Sequence, residues 1–223
     1  MSFTPRTAPS IIQTALFDDS QVAVFDDAHP STPKTPVAHT NTQTGWSATY
    51  SPCTRFRYLL YRPLGGGGVR GRILWVMMNP STATEFKNDP TIGKCMAYSK
   101  GWGFGEIEIV NTFALRSPKP QSLLEELKSG GNPVGEENDQ YIIEAAKRAG
   151  MVLFGCGVPP FGKRAPAELR DRPRIVHELL KQHHDEIHCL AITKEGNPGH
   201  PLYLPIDLQP KPFNGWPAKA VTT

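Results

Sequence analysis

The apolar positions of this chain fall into short runs separated by polar, glycine-rich and proline-rich punctuation. The run at 73–78, ILWVMM, stops abruptly at Asn79, Pro80, Ser81 and Thr82. An apolar stretch without alternation reads as a strand buried on both faces. Residues 55–62 alternate basic and apolar positions at their start and predict a second strand. The stretches EIEIV at 106–110, MVLF at 151–154 and IHCLAI at 187–192 predict three more. Helical spacing, as in Ile92, Cys95, Met96 and Ser99 or in Ile142, Ile143 and Ala146, predicts helices over 91–100, 121–128, 138–149 and 172–184. The glycines at 65–68 read as a flexible, hairpin-like turn. Strands alternating with helices predict an α/β fold, a three-layer α/β/α sandwich with a mainly parallel central sheet.

Both ends of the chain differ from this pattern. Residues 1–46 are rich in Pro, Thr, Ser and Asp and predict an extended or partly disordered segment, with one short strand at 18–27. Residues 206–223, with Pro210, Pro212 and Pro217, predict an extended tail. A single α/β domain over 47–205 remains, an ordinary size for one core. No apolar run approaches ~18 residues, so no membrane span is expected. The first residues lack the apolar core of a secretory signal. The net charge of +3 permits an acidic partner such as DNA without demanding one. Four widely spaced cysteines without a C-x-x-C pair argue against a zinc ribbon or iron–sulfur cluster and for reduced thiols in a cytoplasmic protein. No metal or cofactor is implied, and a monomer is favoured. The four glycines are not a phosphate loop, because no Lys-Ser/Thr follows and no helix begins there. His183, His184, Asp185 and His188 read as a solvated turn at the far end of the sheet.

Chemistry is expected where strands end. Four ends carry polar punctuation: Asn79 to Thr82, Asn111-Thr112 with Arg116 beyond, Gly155-Cys156-Gly157, and the stretch from Thr193 and Lys194 through Asn197 to His200. If these strands run parallel, all four ends share one edge of the sheet and line one crevice. Each end also has a plainer reading. Asn79 and Pro80 are common turn formers. His200 before Pro201 would only hydrogen-bond a backbone carbonyl. Gly155 and Gly157 allow close packing.

The residues also resemble a family. MMNPS at 77–81 is similar to the first motif of the uracil-DNA glycosylase superfamily, in its mismatch-specific thymine/uracil branch, where an apolar strand runs into Gly-x-Asn-Pro-Gly. Met77 and Ser81 stand where that motif has glycines. Asn111-Thr112 with Arg116-Ser117-Pro118, and Gly199-His200-Pro201-Leu202, resemble later motifs in the same order. The chain more closely resembles a bacterial and phage domain family of unassigned function. Its marks are Arg57-Tyr58, the MNPSTA string from Met78, Asp89-Pro90-Thr91, Val110 to Arg116, Asn138-Asp139 and Thr193 to Tyr203.

The resemblance implies a DNA glycosylase that flips a base out of a duplex and hydrolyses its N-glycosidic bond, in phage defence or DNA repair, on a modified phage base rather than uracil. Asn79 would orient the attacking water. Asp89 would act as general base or else cap the next helix. His200 would donate to the departing base or to a phosphate. Asn111 would read the flipped base, Phe86 or Phe113 would stack on it or else belong to the core, and Met78, Pro80, Ser81, Thr82, Gly155 and Asn197 would complete the pocket. Arg116, Lys163, Arg164 and Lys194 would contact phosphates. The competing expectations are a non-catalytic nucleic-acid binder, an N-glycosidase or base transferase acting on free nucleosides or nucleotides, and an interaction module.

Overall fold

Strand β4 (Arg72–Met77) explains most of the architecture. From Ile73 onward every residue of it is buried, because sheet neighbours flank both its edges and helices cover both its faces. Leu74 and Val76 pack with residues of α2 (Gln121–Lys128), α3 (Asn138–Arg148) and α5 (Arg172–Lys181). Ile73, Trp75 and Met77 pack on the opposite side with Ile92, Cys95 and Tyr98 of α1 (Pro90–Gly101). The buried indole N–H of Trp75 donates to Ser99 Oγ at 2.9 Å, so this large side chain enters the core without an orphaned donor.

The computed structural model describes residues 35–65, 68–162 and 165–216, which fall within one compact unit. The expected strand at 18–27 lies outside the described residues. The remaining strands are β1 (Val37–Thr40), β2 (Ser47–Tyr50), β3 (Arg57–Pro63), β5 (Glu106–Asn111), β6 (Met151–Phe154), β7 (Ile187–Cys189) and β8 (Lys211–Pro212). A four-residue helix, α4 (Ala167–Arg170), precedes α5. Together the strands form one eight-stranded sheet in the order β1-β2-β3-β5-β4-β6-β7-β8.

The expected mainly parallel sheet is corrected by the pairing. Ladders β1/β2, β2/β3, β3/β5 and β7/β8 are antiparallel, so the sheet is mixed and mostly antiparallel. Only β5, β4, β6 and β7 run parallel to one another. The cause is connection length. The short links 41–46 and 51–56 can join only antiparallel neighbours, whereas parallel neighbours need a crossover. Helices supply those crossovers only after β4, β5 and β6. The glycines at 65–68 do not close a hairpin either, because β5 lies between β3 and β4. Strands also occur inside both predicted extended segments: β1 lies within 1–46 and β8 within 206–223.

Candidate active site

Because β5, β4, β6 and β7 are parallel, the residues after each strand emerge at one edge of the sheet. A cleft of about 630 Å³ opens there. Met77, Met78, Asn79 and Ser81 line it from the β4 end, and Asn111, Ser117 and Pro118 from the β5 end. Cys156, Gly157 and Val158 follow β6, while Thr193, Gly199 and His200 follow β7. The start of α1 adds Asp89, Thr91 and Ile92, and β3 adds Arg57. All four polar strand ends therefore contribute to one hollow.

Asn79 sits in a rigid turn. Its Nδ2 donates to Ser117 O at 2.9 Å and Pro80 O at 3.1 Å, and Ser117 N donates to Pro80 O at 2.8 Å. The β4 and β5 ends are thus tied together, and the donor half of the amide is consumed. The acceptor half, Oδ1, is left to meet a water or substrate. The loop from Asn79 to Asp89 is pinned from beneath by two fully buried arginines. Arg57 donates to Ala83 O at 2.7 Å, and Arg62 donates to Asn88 Oδ1 at 2.9 Å and to Thr84 O.

Asp89 is the N-cap of α1, and its Oδ1 accepts from Ile92 N at 2.9 Å. It also lines the cleft, where it is the only carboxylate among the described residues. One oxygen caps while the other is available for chemistry, so the two expected roles are geometrically compatible.

Asn111 is 1% exposed and its Nδ2 has no partner among the described residues, although the residue lines the cleft. The backbone that aims it is clamped. Asn138 Nδ2 donates to Asn111 O at 2.9 Å, Arg172 Nε donates to Thr112 O at 2.8 Å, and Thr112 Oγ1 donates to Met78 O at 2.9 Å. Arg172 is itself held by Asp139.

His200 caps the 3₁₀ turn Pro201–Tyr203, and its Nδ1 accepts from Leu202 N at 3.3 Å. That bond assigns the ring proton to Nε2, leaving an N–H donor. Burial pulls its pKa below the ordinary histidine value, and the charge of Asp89 partly opposes this. Gly157, at φ +72°, lies against the ring's attachment point: a Cβ there would stand 3.1 Å from His200 Cβ. Cys156 is buried, and desolvation pushes its thiol up to about 12, so at neutral pH it is not a thiolate nucleophile.

Several expected site residues lie elsewhere. Phe113 is 1% exposed within the hydrophobic core and does not line the cleft. Phe86 is 68% exposed and also outside the lining. Pro80 is buried behind Asn79. Gly155 is a spacer: an added Cβ would meet Met77 Sδ and Pro201 Cδ, each at 3.2 Å. Asn197 is spent on its own turn and on Trp216, whose Nε1 donates to Asn197 Oδ1 at 2.9 Å. Thr82 and Arg116 line a second, open hollow of about 850 Å³ that shares Ser81, Ser117 and Pro118 with the cleft. Lys194 is exposed outside both lining sets. Lys163 and Arg164 lie outside the described residues. Among the described residues no group of three His, Cys, Asp or Glu side chains could hold a metal ion. His184 instead binds Ala146 O and His188 pairs with Glu186. No described helix is long and apolar enough to cross a membrane.

The important residue missed by sequence reading is Arg57. The available signal was a basic residue at a strand position, and alternation alone did not reveal that it faces inward.

Fold and cleft together define a mixed α/β domain with a largely uncharged cavity, mostly apolar in its lining, at the carboxyl edge of its parallel strands. A family model described as a protein of unknown function (DUF1643) matches residues 57–202, more than half of the chain, and the chain belongs to that family. The match runs from Arg57 on β3 to Leu202, and so takes in every residue of the cleft lining except Tyr203 and Leu204. No curated protein and no solved structure matches the chain.

Proposed function

We propose that this chain is an N-glycosyl hydrolase of the DNA glycosylase type, which takes a flipped, modified base into the cleft and cleaves its bond to the sugar. Within this reading the domain is a three-layer α/β/α sandwich of the uracil-DNA glycosylase kind. The observation that carries the proposal is the convergence of Asn79, Asp89, Asn111 and His200, from four separate chain segments, on one hollow. A volume of about 630 Å³ suits a nucleoside, since small-molecule pockets run to roughly 300–1,000 Å³.

Each residue then has one task. Asn79 Oδ1 accepts a hydrogen bond from a water and orients it towards C1′. The C1′–N bond breaks with its electron pair moving to the base, and the water oxygen bonds to the cation-like carbon. Asp89 takes the proton that the water loses. The His200 Nε2–H and the Asn111 Nδ2–H donate to the departing anionic base, where fixed donors lower the barrier most. Asn79→Ala should lower base release from a cognate duplex at least a hundredfold while the protein still folds. Release at the parental rate would remove Asn79 from the mechanism.

A second reading, hydrolysis of free nucleosides or nucleotides, is favoured by a specific observation. Arg57 is the only permanent cation among the described residues of the cleft lining, and it is buried. A duplex needs phosphate contacts around the mouth. Comparing release from mononucleotides with release from duplexes separates the two.

A further inference from the structure

Arg57 is 2% exposed and lines the cleft. Its one direct side-chain bond is to Ala83 O, and its Nε is buried without a partner among the described residues. No described carboxylate comes within ion-pair distance, and Asp89 acts on it only through space. Desolvation lowers its pKa to about 10, which leaves it cationic at neutral pH. Burying an unpaired cation is costly, and one backbone carbonyl does not neutralise it. Two further orphaned donors lie nearby. One is Nδ2 of Asn111, a residue that lines the same cleft. Arg116 Nε is buried without a partner in the adjoining hollow, while its guanidinium lies 4.8 Å from the Tyr50 ring centroid and donates to Thr54 O. Arg116 is close enough for its charge to help lower the pKa of Arg57. The shared walls, Ser81, Ser117 and Pro118, join the two hollows.

We propose that Arg57 is the anion-binding residue of the cleft and that the ligand carries a phosphate, which accepts from Arg57 Nε while Asn111 donates beside it. The inference rests on the cleft being the ligand site, but not on the hydrolytic reaction. A phosphate supplies a permanent negative charge and acceptor oxygens only, which match a guanidinium. A neutral nucleoside would leave the buried cation uncompensated. The phosphate comes either from a free nucleotide, which needs Arg57 alone, or from a strand, whose next phosphate reaches Arg116.

Arginine Nε–H resonances of the ¹⁵N-labelled full chain, with Arg57 assigned by its loss in Arg57→Lys, provide the test. Titration with inorganic phosphate should shift the Arg57 signal saturably, whereas sodium chloride at equal ionic strength should not. Arg57→Met should weaken phosphate binding at least tenfold in calorimetry. An unmoved Arg57 signal, or equal shifts with chloride, overturns the proposal even if the Met variant fails to fold. Arg116→Met then identifies the source: weaker binding of a five-residue oligothymidylate but not of thymidine 5′-monophosphate indicates a strand, and no effect on either indicates a free nucleotide. Phosphate binding without base release from any DNA would sink the hydrolase reading alone. Base release without a phosphate response would sink this inference alone.

Discussion

At the scale of single residues, Asn79, Asp89 and His200 each combine a structural bond with a free functional half, so their variants must separate the two. In Asn79→Ala Ser117 O loses the amide donor and Pro80 O keeps only Ser117 N, at about 1 kcal/mol for each lost bond. The melting temperature should fall modestly while the rate collapses. Asp89→Asn is a cleaner probe, because Asn and Asp are nearly equal as N-caps. Stability should therefore change by less than about 0.5 kcal/mol, and base release should fall at least tenfold if the carboxylate accepts the water's proton. A parental rate in Asp89→Asn would leave Asp89 as a cap alone. For His200 the sign follows from its depressed pKa. The folded state resists a proton that the unfolded state accepts near pH 6.5. Its contribution to stability is complete above that value and is lost as pH falls through the lower folded pKa. Melting curves between pH 5 and 8 should show this loss in the parent and a flatter profile in His200→Gln.

At the scale of elements, the close approach between the β6 end and the 3₁₀ turn sets where His200 stands. Gly157→Ala would place a methyl 3.1 Å from His200 Cβ and force φ +72° on a residue with a side chain. That should cost about 1–2 kcal/mol and displace the ring. Thermal unfolding and the rate of base release should both register it. A variant with parental stability and rate would contradict the packing described. The same scale explains what could be read from the sequence. Strands β4, β5 and β6 were legible because apolar runs mark buried strands, and α1, α2, α3 and α5 because their apolar spacing is helical. The convergence of Asn79, Asn111 and His200 was legible because parallel strands share an edge. The edge strands were not. Val37–Thr40 has four residues and Lys211–Pro212 has two, and they are defined by their pairing rather than by local pattern. Arg57 and Arg62 stood out in the sequence only as basic residues of a strand, yet both turn inward to hold the loop after β4. Phe113 takes the plainer of its two expected placements: the chain turn after β5 sends its ring into the core.

At the scale of the whole molecule, the C-terminal segment is part of the core. Phe213 is 2% exposed, its N donates to Ile187 O at 2.7 Å, and its ring meets Phe154, His177 and Trp216. Phe213→Ala should cost about 3–5 kcal/mol by cavity formation, and ending the chain at residue 209 should cost at least as much, both measurable by denaturant unfolding. A change below about 1 kcal/mol would mean that the segment is not docked in solution. The cleft exists because β5, β4, β6 and β7 are held parallel. Its chemistry is tested most directly by mass spectrometry of free bases released from matched duplexes containing uracil, mismatched thymine or phage-type modified bases. The account predicts one class of released base, an abasic site left in its place, and loss of both in Asn79→Ala. Intact DNA across the whole panel, with no base freed from mononucleotides either, would contradict it.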